Sequence, residues 1–295
     1  MVGLGANGLQ FMLLAKRRNA GFDKTIMLGR QNHYLNGAWV KLLLDRFGLP
    51  ITETEAEQLV AEPYAEALIK RLGAAVVDSM DASAYEAATI VHDLNQPLPR
   101  SLVRQYTCVL ESGTLEHVFN FPVALKSATD LLDVGGTLLT ITPCSNFMGH
   151  GFYQFSPELY YNYLLKNGFV DVEIYMTPYR WFPYLFHVSN PEKVGSRVEL
   201  VSPEPWQMCV IARKARHLDE TVVPIQSDYQ NLSWQGKDVD RSSEPPPVDA
   251  HLSAAVSDLK ARIAALTVWP ETVSPHFIAG FENRRHYQLM DPAKD

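Results

Sequence analysis

Apolar positions along the first 216 residues follow two rhythms that trade places regularly. From Gly8 to Ala20, Leu9, Met12, Leu13 and Lys16 recur at helical spacing. Lys16, Arg17 and Arg18 crowd the end of that helix, where cations suit the dipole, and Gly21 supplies a stop. Thr25–Leu28 reads as a short apolar strand that halts at Gly29. A second helix is predicted over Gly37–Phe47, closed by Gly48 and Pro50. Thr52 and Glu55 have capping-box spacing and open a helical stretch that bends at Pro63 and stops near Gly73.

Four near-continuous apolar runs follow: Ala74–Met80, Thr89–His92, Thr107–Leu110 and Thr137–Thr142. Such runs suit parallel strands covered on both faces. Helices fit over Phe121–Leu132 and Pro157–Lys166, the latter with Ser156 at N-cap and Pro157 at N1. Val170–Met176 and Gln207–Arg213 read as further strands. The repeated strand–helix–strand order predicts an α/β fold with a doubly wound, mostly parallel, seven-stranded sheet over residues 1–216. Residues 177–205, rich in Tyr179, Trp181, Phe182, Tyr184 and Phe186, read as an elaborated loop or lid. Residues 217–248 read as a linker ending in Pro245-Pro246-Pro247. Residues 249–295 read as a helical appendage and tail, with Leu252, Val256, Leu259, Ile263 and Leu266 on one seam.

Composition narrows the classes. The chain of 295 residues is 46% hydrophobic and carries a net charge of −7, so nothing electrostatic calls for nucleic acid or an anionic membrane. No apolar run reaches the roughly 18–20 residues of a bilayer span. Near the start, the basic cluster follows the apolar stretch, the reverse of a secretory signal. Cys108, Cys144 and Cys209 each sit in an apolar run and read as buried free thiols, so the expected location is cytoplasmic.

Gly3-Leu4-Gly5-Ala6-Asn7-Gly8 matches a dinucleotide fingerprint, but that motif works at a strand-to-helix turn and only Met1 and Val2 precede it here. A dinucleotide-dependent oxidoreductase is therefore the weakest of the expectations. No zinc-ligand spacing, serine elbow or P-loop lysine is present, and metal-independent chemistry is the expectation.

Ligands of open parallel sheets bind beyond the carboxyl ends of the strands. The residues there are Gly29-Arg30-Gln31-Asn32; Asp81-Ala82-Ser83; Asp93-Leu94-Asn95; Glu111-Ser112-Gly113 with Glu116 and His117; and Ser145-Asn146 with Gly149-His150-Gly151-Phe152-Tyr153. Acids and amides gather at all five places while the strands stay apolar. One polar rim is expected.

The succession Asp81-Ala82-Ser83, His92-Asp93-Leu94-Asn95, Glu111-Ser112-Gly113-Thr114-Leu115-Glu116-His117-Val118 and Gly135-Gly136 resembles class I S-adenosylmethionine-dependent methyltransferases, over about Thr25 to Arg216. Leu-Glu-His-Val followed by a helix and Gly-Gly is its most specific part. The resemblance implies a Rossmann-like methyltransferase fold and S-adenosylmethionine as cofactor. It also implies methyl transfer to a hydroxyl or amine of a small-molecule or carbohydrate acceptor. It places Asp81, with Asp78 as the alternate, at the ribose and Asp93, with Leu94, at the adenine. Gly29, Arg30, Glu111, Ser112 and His117 fall around the rest of the cofactor. His150 is the candidate base, with Glu116 and Tyr153 beside it. The first loop departs from the pattern: it carries one glycine where the family has two or three, and Arg30 brings a cation toward a sulfonium. That departure motivates the alternative of a binding or assembly module that has lost catalysis. The C-terminal helix is expected to dock onto the main domain, with a homodimer contact through that helix or the 177–205 insertion as the alternative.

Overall fold

The computed structural model describes residues 3–179, 184–199 and 202–230, together with the backbone of Tyr287–Met290. Helix α1 (Ala6–Arg17) leads into strand β1 (Lys24–Leu28), and α2 (Gly37–Arg46), α3 (Glu53–Leu59) and α4 (Glu66–Arg71) carry the chain to β2 (Val76–Asp81). Strand β3 (Ile90–Val91) follows through a loop without a helix, braced by Ser79 and Thr89, whose side chains and backbones exchange three hydrogen bonds of 2.7–3.2 Å. Then come β4 (Tyr106–Ser112), α5 (Phe121–Leu131), β5 (Leu132–Ser145), α6 (Pro157–Lys166), β6 (Phe169–Pro178), β7 (Leu185–Val188), α7 (Pro191–Val194), β8 (Trp206–Lys214), α8 (Ser227–Gln230) and β9 (Tyr287–Met290).

These strands form one sheet in the order β3-β2-β1-β4-β5-β8-β6-β7-β9. The first five run parallel, β8 is antiparallel to both β5 and β6, and β7 and β9 extend the far edge antiparallel. The doubly wound α/β sheet expected from the sequence is the one found. Its seven strands are extended to nine by β7, from inside the insertion, and by β9. The apolar runs are buried for the reason the pattern implied. One face of the sheet packs on α5 and α6 through residues such as Val109, Leu125, Leu138 and Tyr160. The other packs on α1, α2 and α4 through Met12, Leu43, Ile69 and Leu139.

Local signals explain the helix ends. Thr52 and Glu55 form a reciprocal capping box, with Glu55 N–H donating to the threonine hydroxyl at 3.2 Å. Ser156 accepts from the Leu159 N–H to start α6. The break expected at Pro63 falls between α3 and α4.

Part of the stretch read as linker is packed. Asn167 accepts from Val222 N–H at 2.8 Å, and buried Ser227 hydrogen-bonds with Asn162 at 3.0 Å. Trp181 and Phe182, residues 231–248, and the seam from Leu252 to Leu266 lie outside the described residues. Among the described residues, no helix is long and apolar enough to cross a membrane.

The three cysteines are free, Cys108 and Cys209 fully buried. Burial pushes the Cys108 and Cys144 thiols up to about 12. The native chain should therefore react with a disulfide reagent at pH 8 at least about a hundredfold more slowly than a free thiol. Three thiols should appear on denaturation, and a fast native equivalent would contradict this burial.

Candidate functional site

The rim at the carboxyl ends of the parallel strands has two halves. On the β2–β3 side, Asp81 ends β2 and one of its carboxylate oxygens accepts from Ser83 N–H at 3.1 Å. Asp93 stands just past β3, accepting from the N–H and side-chain amide of Asn95, each at 2.9 Å. Those bonds hold the Asp93 carboxyl below the usual carboxylate range. Leu94 is buried behind it in the core. Two carboxylates are thus fixed by their own turns on adjacent strand ends, a donor-seeking pair suited to hydroxyls and an exocyclic amine.

Between the halves, Gly29 adopts φ +70°, and a Cβ there would meet the Thr114 hydroxyl at 2.6 Å. Thr114 donates to Leu28 C=O at 2.7 Å, and the buried Gln31 amide donates to the same carbonyl at 2.7 Å. Side chains from two loops therefore brace this turn, where a glycine-rich loop would present bare backbone. Arg30 is committed to protein partners. It pairs with Glu66 at 2.7 Å, donates to Glu86 C=O at 2.9 Å and lies 3.8 Å from the Tyr64 ring centre. Its charge is compensated by Glu66, which answers the concern about a cation facing a sulfonium.

On the β4–β5 side a cavity of about 240 Å³ opens. Ser112, Glu116, Phe147, His150, Tyr179 and Gln207 are on its wall. Glu116 and His117 come from a 3-10 turn, Leu115–His117, just after β4. His150 comes from the loop after β5, and the two loops are tied by backbone: Phe152 N–H donates to Glu116 C=O at 2.7 Å. Gly151, at φ +74°, makes that approach feasible, since a Cβ would stand 2.7 Å from the same oxygen. His150 Nε2 then lies 3.4 Å from the Glu116 carboxylate, His117 Nε2 3.9 Å from it. The imidazole rings meet edge to face, 5.0 Å apart.

Electrostatics set these groups apart. Glu116 is 1% exposed, and burial, then the nearby Glu111, push its carboxyl up to about 8. Burial likewise raises Glu111 to about 7 against the pull of three backbone N–H groups. Burial lowers both His117 and His150, with the His117 charge adding to the effect on His150. Near neutrality burial thus favours unprotonated imidazoles beside a protonated Glu116. One oxygen of each acid, Glu111 Oε2 and Glu116 Oε2, is buried without a protein partner. Beneath them the Tyr160 hydroxyl, raised by burial and by Glu111, lies near Thr140 and Thr142 without a hydrogen bond of normal geometry.

The rim thus brings Ser112, Glu116, His117 and His150 together. Asp81, Asp93 and Leu94 sit on its other half, and Gly29 and Glu111 lie between, where Leu28 and Glu111 are partners in the β1–β4 register. Tyr153 does not present its hydroxyl to the cavity group: it donates to Phe119 C=O at 2.7 Å and its ring packs on Phe121 and Phe155. Gly3 lines the cavity, Gly5 caps α1 and Gly8 is buried within it; the preceding Leu4 makes only an isolated bridge to His33. Sequence reasoning placed Gln31 and Thr114 near the rim without a role, and missed the Thr140–Thr142–Tyr160 group. The two threonines had a signal: alternate positions of an apolar strand share one face, and polar residues there need a reason.

No family model matches the chain, and no curated protein matches it. Among solved structures it is similar to a SAM-dependent methyltransferase from Thermotoga maritima (15% identity, 72% of this chain and 92% of that one, TM-score 0.33). It is also similar to the 1,6-didemethyltoxoflavin-N1-methyltransferase of Burkholderia thailandensis (11% identity, 71% and 78%, TM-score 0.36). A third is TehB from Haemophilus influenzae (14% identity, 69% of this chain, TM-score 0.35), of which this chain spans 61%.

Proposed function

We propose that this chain transfers a methyl group from S-adenosylmethionine to a hydroxyl or amine of a small-molecule or sugar acceptor. The observation that carries the reading is the division of one rim into two chemically different halves. Fixed acceptors, Asp81 and Asp93, stand on one side, and a cavity with a neutral imidazole beside a buried acid stands on the other.

The donor set fits the nucleoside end of the cofactor. Asp81 would take the ribose hydroxyls and Asp93 the adenine amine. Glu111, with a buried unpartnered oxygen, suits the cationic methionine end in place of a second and third glycine. The cofactor supplies an activated methyl group, and the chain supplies alignment, exclusion of water and a proton acceptor. Phe147 and Tyr179, whose rings meet edge to face at 5.3 Å, wall the acceptor cavity. His150 takes the proton that the acceptor gives up as the new bond to carbon forms. The imidazolium then returns that proton to solvent, with the Glu116 carboxyl 3.4 Å from Nε2 beside the ring.

Incubating the full chain with methyl-labelled cofactor and a panel of hydroxyl and amine acceptors tests this. Label should pass to an acceptor, and His150→Asn should reduce transfer by about a hundredfold or more while leaving cofactor affinity within threefold. Equal turnover in that variant would remove His150 from the chemistry.

A further inference from the structure

The Glu116–His117–His150 cluster has a geometry that proton transfer alone does not require. Its three candidate ligand atoms all lie within 4.8 Å of one another, at 3.4 Å and 3.9 Å from the shared carboxylate oxygen. Ligands about 2.0–2.2 Å from one ion stand about 3.0–3.5 Å apart at tetrahedral or octahedral angles. The Glu116–His150 pair already has that spacing, and rotation of the His117 ring, 45% exposed in its side chain, by about an ångström would bring the third ligand to it.

A second observation points the same way. Glu116 is 1% exposed, yet its Oε2 has no protein partner. That oxygen stands beside the Oε1 that both imidazoles approach, and an ion bound at the carboxyl would displace its proton and offset the cost of burying the charge. Its backbone is also held in place by Phe152 N–H, so the carboxylate is delivered to this spot by a rigid turn.

We propose that Glu116, His117 and His150 bind one divalent transition-metal ion on the cavity wall. Two imidazoles and a carboxylate suit zinc, iron(II), cobalt or manganese, and disfavour calcium and magnesium, which take all-oxygen sets. Glu116 and His150 line the cavity, so an acceptor oxygen bound there would be within reach of an ion they hold. The ion would lower the pKa of that oxygen and so do the work His150 does in the ion-free cluster. The binding site needs no assumption about methyl transfer; only this consequence for the acceptor rests on the proposed function.

Cobalt(II) titrated into the chelator-treated full chain should give visible d–d bands that saturate at one equivalent. His117→Ala and His150→Ala should each weaken that binding at least about tenfold, while His33→Ala leaves it unchanged. Zinc should also protect His117 and His150, but not His33, from acylation mapped by mass spectrometry in the unaltered chain, a readout that needs no variant to fold. A wild-type chain that binds no cobalt, or zinc that protects neither histidine, overturns the site. Binding of S-adenosylhomocysteine, measured separately, is expected in either case, so failure of the metal site and failure of the methyl-transfer reading are told apart.

Discussion

Replacing Glu116 with glutamine is expected to stabilise the chain at pH 8 and to reduce turnover by about a hundredfold or more. The stability half follows from linkage. The unfolded glutamate ionises near its ordinary value of 4.5, whereas the folded one holds its proton up to about 8. Below the lower value both states are protonated and pH has no effect through this group. Between the two the folded state binds more protons, so stability falls as pH rises, by up to about 1.4 kcal/mol per pH unit. Above about 8 the loss is complete. Glu111 adds the same sign between 4.5 and about 7. Glutamine keeps the shape and cannot ionise, so Glu116→Gln should gain on the order of 2 kcal/mol at pH 8 and nothing at pH 4. Urea unfolding at the two pH values measures this. A wild-type chain whose stability rises between pH 5 and 8 in step with the variant would contradict it. Such a trade of stability for function is what a buried acid kept for chemistry should show.

The second large effect belongs to Gly151. Gly151→Ala should destabilise the fold by about 2–3 kcal/mol and abolish the positioning of His150. Two costs add. The residue sits at φ +74°, and the new Cβ would lie 2.7 Å from a backbone oxygen, that of Glu116, which cannot swing away as a side chain could. Relief requires the loop after β5 to lift, which breaks the Phe152–Glu116 hydrogen bond and moves His150 from the carboxylate. Gly149→Ala is the control: its φ is +82°, but a Cβ there meets nothing within 4 Å. It should cost only the conformational part, about 1 kcal/mol. Equal melting temperatures for the two variants would show that the loop does not dock as described.

Much of this architecture was legible because burial on both faces leaves a simple mark. Thr25–Leu28, Thr107–Leu110 and Thr137–Thr142 carry no charge and consist of apolar residues and threonine, and all lie inside parallel strands. Ser156-Pro157 and Thr52 with Glu55 announced helix starts by local hydrogen bonding, which is carried by neighbouring residues and readable in order. Strand β7 was not legible: four residues inside an aromatic, proline-rich stretch owe their pairing to β6 and β9 rather than to any local pattern. The rim was legible as a gathering of polar residues after strands, its internal geometry was not. Glu116 and His117 are adjacent in sequence, but His150 reaches them only because Gly151 lets one loop close on another. For the same reason metal-ligand spacing could not be seen in the chain. Arg30 was misleading in isolation, since Glu66 and Tyr64, which engage it, arrive from a later helix and turn.

Asp81 and Asp93 are proposed to hold the nucleoside end of the cofactor on the rim. Calorimetric titration of the full chain with S-adenosylhomocysteine tests it most directly. One site of micromolar affinity is predicted, weakened at least about tenfold by Asp81→Ala and by Asp93→Ala. No heat with S-adenosylhomocysteine or S-adenosylmethionine, or binding indifferent to both substitutions, would contradict the account.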